Sequence, residues 1–385
     1  MTTRPYAAAR RTLSVADKLF EVNWGLVLLI GIIASAGFAM LYSVAGGHLW
    51  PWAGAADVAL PGRPRRARRG ACIDVRVWMS LAYPAYAVSL LLLIAVVIAG
   101  HVGKGAERWI ALGPLGLQPS ELMKVALILA LSRLLPARQE RRGSIQAAQC
   151  RHRPRHDRHP GGVRVLQPNL GTTLIILADG ASLLFLAGLS WWWIAPTFGA
   201  VVAAVPTAWQ FVLHDYQKRR VLTFLDPESD ALGAGWNITQ AKIAIGSGGM
   251  TGKGFLQGTQ SRLNFLPEKQ TDFIWTSLCE EFGFVGAVAL LILFAVVIYY
   301  GVQIAMSARS QFGRLLAMGV TLNFFFYILI NASMVMGLIP VVGIPMPLIS
   351  YGGSAMLTVM FGFGLLMSVH VHRQVEIPRL SGGII

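Results

Sequence analysis

The chain has 385 residues, of which 55% are hydrophobic and only 13% are charged, and its mean hydropathy is +0.56. This balance excludes a soluble multidomain protein, so we predict an all-α polytopic membrane protein. A net charge of +15 would suggest nucleic acid as the partner of a soluble protein, but membrane proteins collect Lys and Arg in their cytoplasmic loops. We therefore expect no nucleic-acid partner. The three cysteines show no metal or disulfide spacing, so we predict no metal site built from them.

Eight stretches of the chain are long and apolar enough to cross a bilayer, which takes about 20 residues. They are residues 24–43, 79–100, 118–134, 172–189, 190–213, 283–303, 313–338 and 348–369. The basic segment before the first stretch has no apolar core with a cleavage site, so we expect this span to be retained. Residues 1–385 are predicted to form a single transmembrane domain.

Two Arg-rich runs, 51–73 and 134–165, interrupt this series and cannot cross a bilayer. With only eight spans both runs would lie outside, against the tendency of Lys and Arg to stay in the cytoplasm. One additional span at each run gives ten spans, with both termini inside and three non-apolar loops on one outer face. These loops are residues 101–117, 214–282 and 339–347, and 214–282 is the large outer, or periplasmic, region.

The composition of the two Arg-rich runs predicts that both are out-of-frame translation. Arg, Pro, Gly and Ala dominate residues 51–73, and Arg and His are frequent in residues 134–165. Codons of Arg, Pro, Gly and Ala can begin with two G or C bases, so a GC-rich gene read in the wrong frame yields such a mixture. Spans 2 and 5 are then scrambled, and the chain as written inserts badly and is inactive. The alternative is an eight-span variant with two genuine basic loops.

A polar run at 257–281 lies between apolar segments and holds the main candidate for chemistry. Asp272 is followed by Phe273, Ile274 and Trp275, and an apolar surrounding raises the pKa of a carboxyl and suits it as a base. The alternative is a solvated loop that joins two spans. The charged residues of the run are Arg262, Glu268, Lys269, Asp272, Glu280 and Glu281.

The loop 101–117 leads directly into a charged pair at the start of a span. Glu121 and Lys124 are three residues apart, so on a helix that begins near Pro119 they share one face and can pair. An intramembrane charge costs about 2.5–3.5 kcal/mol, so we expect a charged pair there to have a structural or functional role. Either it faces the substrate or it is a structural salt bridge between spans. Trp109, in the loop itself, is either an interfacial anchor or a substrate contact.

Residues 214–282 are long for a connector, which predicts a functional element or internal helices. Lys218, Arg219 and Arg220 suit anionic head groups, a pyrophosphate or a solvated turn. Glycines between 246 and 254 permit close backbone approach, and the chain has no Walker pattern, so nucleotide hydrolysis is not expected. Three prolines between 338 and 353 predict either a broken element that lines a cavity or an abrupt helix end.

Five segments together resemble the SEDS family of integral membrane proteins, in particular its RodA-type elongation branch rather than the division branch. The departures are small: Trp275 replaces the usual Phe, and Asn169 replaces the usual Asp, which puts an acid-base role at that position in doubt. The segments are ERWIALGPLGLQPSELMK at 107–124, QPNLGT at 167–172, GWNITQAKIAIGSGGMTGKGFLQGTQSRLNFLPEKQTDFIW at 235–275, EEFGFVG at 280–286 and PVVGIPMPLISYGGSA at 340–355.

The resemblance implies a ten-span helical bundle in the bacterial cytoplasmic membrane, surrounded by membrane lipids, with its active site facing the periplasm. It implies a peptidoglycan glycosyltransferase that polymerises lipid II into β-1,4-linked glycan with release of polyprenyl pyrophosphate. It also implies a class B penicillin-binding protein as the crosslinking partner. The alternative function is a transporter, or flippase, for the lipid-linked precursor.

The resemblance assigns the essential aspartate of the family to Asp272. An α-linked donor and a β-1,4 product require inversion, for which one carboxylate base and one cationic cradle suffice. Lys253, Arg262 and Lys269, or a bound divalent cation, are candidates for the cradle, and the sequence does not choose among them. No other cofactor is expected. The predicted substrate-binding residues are Trp109, Gln118, Glu121, Lys124, Lys253, Arg262, Glu268 and Lys269.

Overall fold

The computed structural model describes residues 18, 20–49, 73–99, 101–103, 106–112, 115–144, 170–189, 191–211, 215–226, 228 and 234–375. Long helices dominate these residues, as the sequence predicts. The helices are α1 (Trp24–Val44), α2 (Val75–Ala99), α3 (Pro119–Ser144), α4 (Leu170–Leu186), α5 (Trp191–Phe211), α6 (Asp215–Leu225), α7 (Ala234–Gly248), α8 (Thr259–Arg262), α9 (Ile274–Ser307), α10 (Gln311–Val335) and α11 (Gly353–Val371).

A small antiparallel sheet adds to the helices between α2 and α3. Its strands are β1 (His101–Gly103), β2 (Ala106–Leu112) and β3 (Leu115–Leu117), in the order β1-β2-β3. The loop predicted at 101–117 is thus a short meander, a departure from a purely helical chain that leaves the helical membrane fold unchanged.

Among the helices whose side chains the structure describes, five are long and apolar enough to cross a membrane: α1, α2, α9, α10 and α11. The helix α5 is not among these because many of its side chains lie outside the described residues. The helix α4 is apolar but shorter. In α10 and α11 two thirds of the most apolar window is buried inside the protein, whereas α2 and α9 expose most of theirs. The core of the bundle therefore lies around α10 and α11, and α10 packs against α3, α4, α9 and α11.

Local sequence sets the beginnings of several helices. The side chain of Asn23 accepts a hydrogen bond from the Leu26 amide at 3.1 Å at the start of α1, and Ser310 caps α10 in the same way. Pro119 occupies the first position of α3, where a missing amide hydrogen costs nothing. The predicted helix start near Pro119 is confirmed.

The start of the span predicted at 283–303 coincides with a break within the longer helix α9, which ends at Ser307. The helix α9 begins nine residues earlier, at Ile274, and Gly283 interrupts it with φ of 62° and ψ of −162°. At this break the amides of Phe284 and Val285 donate to Gly249 and Met250 carbonyls, at 2.9 and 3.1 Å. The loop after α7 thus supplies the hydrogen bonds that the interrupted helix lacks.

The large outer region at 214–282 contains helices of its own, α6, α7 and α8. Its predicted internal helices are therefore confirmed. The glycine-rich stretch also provides the close approach expected of it. A methyl group on Gly248 would lie 2.1 Å from the Cys279 carbonyl oxygen, and one on Gly252 would lie 2.2 Å from that of Glu281.

The proline-rich segment before α11 is not helical between Pro340 and Met346. Most of its apolar side chains, including Ile344, Leu348 and Ile349, are buried. The span predicted to begin at 348 therefore begins at Gly353. Irregular backbone buried in protein or lining a cavity is the form that membrane proteins tolerate, which favours the broken element over an abrupt helix end.

The predicted frameshifted segments lie mostly outside the described residues. Of 51–73 the structure describes only residue 73, and of 134–165 it describes the backbone of 134–144 as the end of α3. Scrambling of spans 2 and 5 therefore stays a prediction.

Candidate active site

Asp272 lies on a tight series of turns between α8 and α9. The amides of Thr271 and Phe273 donate to the carbonyl oxygen of Glu268, at 3.1 and 3.2 Å. The carboxylate of Glu268 in turn accepts a hydrogen bond from the Thr271 hydroxyl at 2.9 Å. These bonds fix the backbone on both sides of Asp272, so the segment is a structured turn rather than a solvated loop.

Three consecutive carbonyl groups of this turn accept hydrogen bonds from the C-terminal part of the chain. The predicted outer loops 214–282 and 339–347 thus belong to one end of the bundle, and the backbone of Asp272 is tied to α10 and to the segment before α11. The bonds run from the Tyr351 amide to the Gln270 carbonyl at 2.8 Å, from Ser350 Oγ to the Thr271 carbonyl at 2.6 Å, and from Asn331 Nδ2 to the Asp272 carbonyl at 2.9 Å.

Asn331 joins the Asp272 turn to the proline-rich segment. Besides the Asp272 carbonyl, its Nδ2 donates to the carbonyl of Ile344 at 2.6 Å, and Asn331 itself is fully buried. The adjacent Gly343 has φ of +72°, and a methyl group there would lie 3.3 Å from Oδ2 of Asp272. The carboxylate of Asp272 therefore faces the backbone of the proline-rich segment at a position without a side chain.

Glu121 and Lys124 form the predicted pair, and a tyrosine completes it. Lys124 Nζ lies 2.8 Å from Glu121 Oε1, and both side chains are buried. Tyr327, on α10, accepts a hydrogen bond from Lys124 and donates one to the second carboxylate oxygen of Glu121. Lys124 Nζ also lies 4.1 Å from the centre of the Tyr327 ring. The pair thus joins α3 to α10, and burial with full hydrogen bonding offsets its desolvation.

One residue of this charged cluster lines a small cavity together with the proline-rich segment. The lining residues include Tyr327, Met346 and Ser350. Since Ser350 also binds the Thr271 carbonyl, the charged cluster and the Asp272 turn share one wall. The geometry accommodates both the structural and the substrate-facing interpretation of the pair.

The three candidate cations for the pyrophosphate are placed differently. Lys269 is buried and donates to the Ser261 carbonyl at 2.5 Å and to Asn264 Oδ1 at 2.7 Å. Burial lowers the pKa of the Lys269 ammonium. These contacts favour a role in shaping the 261–269 segment over a contact with an anion.

Lys253 is bound to an acidic side chain of the interrupted helix. Its Nζ lies 2.7 Å from Glu280 Oε1 and 2.7 Å from Thr259 Oγ1. Of the three cations, Arg262 has the exposed side chain, at the end of α8. Arg262 is therefore the best placed of the three to meet an anion from solvent.

The remaining predicted residues lie at the ends of elements. The carbonyl of the half-buried Gln118 accepts the Glu121 amide at 2.9 Å and so begins α3. Trp109 belongs to β2 and pairs with His101 of β1, and its side chain lies outside the described residues. Glu268 orders the Asp272 turn, as described above.

Sequence reasoning missed the neutral residues that hold this site together. Tyr327, Asn331 and Ser350 lie within segments that read simply as apolar or proline-rich. A hydroxyl or amide in an apolar span needs a partner when it is buried, and that rule was the available signal.

A divalent cation at the pyrophosphate stays a prediction. Among the described residues no group of three or more His, Cys, Asp or Glu side chains is arranged to hold a metal ion. At phosphate sites Mg²⁺ commonly takes part of its coordination from phosphate oxygens.

Relatives with curated functions match most of the chain. The peptidoglycan glycosyltransferase MrdB of Escherichia coli (strain K12) is 45% identical over 313 residues, which cover 79% of this chain and 81% of the relative. The probable peptidoglycan glycosyltransferase FtsW of Trichlorobacter lovleyi is 37% identical over 308 residues, 77% of each chain. The higher identity to MrdB agrees with the elongation branch, and glycosyltransferases among the relatives favour the enzyme over the transporter.

Solved structures match the fold. A chain from a peptidoglycan synthase complex, described as coordinating polymerization and crosslinking, gives a TM-score of 0.76 at 32% identity and covers 92% of this chain and 99% of its own. The crystal structure of the Thermus thermophilus rod shape determining protein RodA gives 0.65 at 28% identity, covering 92% and 98%. The model of the FtsW/RodA/SpoVE family, described as cell cycle protein, matches residues 70–375. The chain therefore belongs to the FtsW/RodA/SpoVE family, the SEDS family of the sequence resemblance.

Proposed function

We propose that this peptidoglycan glycosyltransferase polymerises lipid II at the outer face of the cytoplasmic membrane, with Asp272 as the general base. The observation that carries the proposal is the fixed turn around Asp272, whose three successive carbonyls are bound from α10 and from the segment before α11. A base must be held within hydrogen-bond reach of its proton. The fold ties the backbone of this carboxylate to α10 and to the segment before α11 through neutral donors.

The proposed step is a single inversion. The 4-hydroxyl of the acceptor sugar attacks the anomeric carbon of the donor, the α-linked bond to pyrophosphate breaks, and a β-1,4 bond forms. Asp272 takes the hydroxyl proton, and polyprenyl pyrophosphate leaves with the bond electrons. Positioned general-base catalysis contributes roughly 10² to 10⁴ in rate.

Arg262 is the proposed cation for the leaving pyrophosphate. It is the exposed one of the three candidates, and it lies in the same outer segment as Asp272. A guanidinium presents two parallel donors to phosphate oxygens. Where a divalent cation is bound to the pyrophosphate, Arg262 would share with it the neutralisation of the developing charge.

The proposed partner is a class B penicillin-binding protein that crosslinks the new glycan. The solved relative comes from a complex that coordinates polymerization and crosslinking, which supports this pairing. The outer-face location rests on the topology of the Lys and Arg residues.

Asp272→Asn tests the proposal, because it preserves the shape of the side chain and removes the base. The substrate is lipid II. The protein is the full-length chain, expressed after the gene has been resequenced and any frame error at 51–73 and 134–165 corrected. We expect glycan synthesis to fall by at least about 10² while lipid II still binds. Glu228→Gln, at an exposed residue of the same outer region, is the control. Near-normal glycan synthesis by the Asn variant would show that Asp272 is not the general base.

A further inference from the structure

The helix α6 lies at the membrane surface because of its place in the chain. The preceding helix α5 has 21 residues and no Asp, Glu, Lys or Arg, which is the length and composition of a span. Three residues separate Phe211, the last of α5, from Asp215, the first of α6. An extended link of that length reaches at most about 14 Å. The helix α6 therefore remains within the interfacial layer of the bilayer.

One face of α6 exposes basic and apolar side chains together. Leu222 and Leu225 are 52% and 73% exposed, and they are three residues apart, so they share a face. Arg219 is exposed and lies three residues before Leu222, and the half-buried Lys218 lies four before it. Water is a poor solvent for two neighbouring leucines, whereas the boundary between head groups and acyl chains suits leucines beside basic residues.

Arg220, the third basic residue of α6, has a different role. Its Nη1 donates to the carbonyl of Val341 at 3.2 Å, and so attaches α6 to the proline-rich segment. Thr223 is buried on the same inward side. This attachment fixes which face of α6 points outward, and it leaves Lys218 and Arg219 as the cations of the outer face.

We propose that α6 is an interfacial helix that binds an anionic phospholipid. Lys218 and Arg219 bind the head-group phosphate, and Leu222 and Leu225 insert among the acyl chains. The charge complementarity and the apolar residues one turn away select a phospholipid over a free anion. Since Arg220 joins α6 to the proline-rich segment, which faces the Asp272 carboxylate at Gly343, a bound lipid stabilises one wall of the active site.

The test measures lipid binding directly, so it is independent of the polymerase reaction. The full-length protein from the resequenced gene is titrated in neutral detergent with phosphatidylglycerol or phosphatidylcholine, and bound lipid is counted by native mass spectrometry. Each basic residue near a membrane surface contributes about 1 kcal/mol toward anionic lipid. The double variant Lys218→Ala/Arg219→Ala should therefore bind phosphatidylglycerol roughly 30-fold more weakly, with phosphatidylcholine unchanged.

Two further variants make the result specific. Lys242→Ala removes an exposed cation from the neighbouring α7 and should leave binding unchanged, while Leu222→Ser/Leu225→Ser should weaken the binding of both lipids. Equal phosphatidylglycerol binding by the Lys218/Arg219 variant and the wild type overturns the proposal. So does selective loss of polyprenyl pyrophosphate binding with phosphatidylglycerol unaffected, because the cluster would then belong to the substrate site.

Discussion

Two polar regions lie close together in the bundle and are built in opposite ways. The Asp272 turn is tied to the rest of the bundle by neutral groups, through bonds from Asn331 and Ser350 to backbone carbonyls. The cluster of Glu121, Lys124 and Tyr327 is held by charges buried among apolar helices. A neutral hydrogen bond contributes about 0.5–1.5 kcal/mol net, whereas removing one partner of a buried pair costs about 3–5 kcal/mol.

The two regions should therefore respond differently to substitution. The turn can lose one of several weak bonds and keep its path, so its variants should chiefly affect the placement of Asp272 and hence the rate. The charged cluster cannot lose a partner in the same way, because the remaining charge would be buried without a counter-ion. Its variants should act first on folding and only then on activity.

The largest effect is expected from the two Arg-rich runs, because both polar regions depend on an intact helical bundle. We propose that residues 51–73 and 134–165 are out-of-frame, so the chain as written should insert poorly and show no synthesis, because each Arg in a bilayer costs about 2.5–3.5 kcal/mol. The family match begins at residue 70, after most of the first run, which supports the proposal for that run. Resequencing the gene decides it. In-frame Arg codons together with glycan synthesis by the purified protein would show the proposal to be wrong.

The next largest effect is expected in the charged cluster. Lys124→Met leaves Glu121 buried without its cation and should lower the free energy of unfolding by about 3–5 kcal/mol. Glu121→Gln should act similarly, and the double variant should recover part of the loss. Thermal unfolding in detergent measures all three. Additive losses, with no coupling between the two positions, would exclude the pair as a unit.

A smaller loss is expected at Asn331, which belongs to the neutral region. Asn331→Ala leaves two carbonyls, of Asp272 and Ile344, without their donor. The bond to the Asp272 carbonyl is only partly buried, so water can replace it, and the loss of stability should be close to the roughly 1–3 kcal/mol of one unsatisfied group. Synthesis should fall more steeply than stability, because the Asp272 backbone loses its tie to α10. Ser35→Ala, which removes a hydroxyl bonded only within α1, is the control. Stability loss without loss of synthesis in the folded fraction contradicts the positioning role.

Gly343→Ala tests the contact between the proline-rich segment and the Asp272 carboxylate. Gly343 and Gly46 share φ of +72°, but a methyl group meets Asp272 Oδ2 at 3.3 Å in the first case and nothing within 4 Å in the second. Both substitutions should cost about 1–2 kcal/mol for the backbone conformation. Only Gly343→Ala should also reduce synthesis beyond that. Equal activities of the two variants would mean that the carboxylate does not depend on this wall.

The sequence predicts charged and motif residues well and neutral contacts poorly. Glu121 and Lys124 follow from helical spacing, and their pairing is confirmed. The roles of Asn331 and Ser350 depend on which carbonyls of a distant turn they meet, and no local pattern encodes that. The part of α9 before the break at Gly283 was missed because Glu280 and Glu281 make residues 257–281 a polar run in the sequence. Lys269 donates to Ser261 and Asn264, contacts that no local pattern encodes, and its role as an anion ligand stays a prediction.

The smallest effect is a pH dependence of stability caused by Lys269, which lies in the same outer segment as Asp272. Burial lowers the pKa of this ammonium below its ordinary value of 10.5, so the unfolded chain binds its proton more tightly than the folded protein. The free energy of unfolding should therefore rise with pH through the window between the lowered folded pKa and 10.5.

Lys269→Met removes this proton from both states, so the rise contributed by Lys269 should disappear. Thermal unfolding in detergent at several alkaline pH values measures the slope, and Lys242→Met, at an exposed lysine of α7, should keep it. Neutral Lys269 still donates to Ser261 and Asn264, so the turn persists across this window and synthesis should vary little because of this group. An unchanged slope in Lys269→Met would place the titrating group elsewhere and return Lys269 to the set of candidate anion ligands.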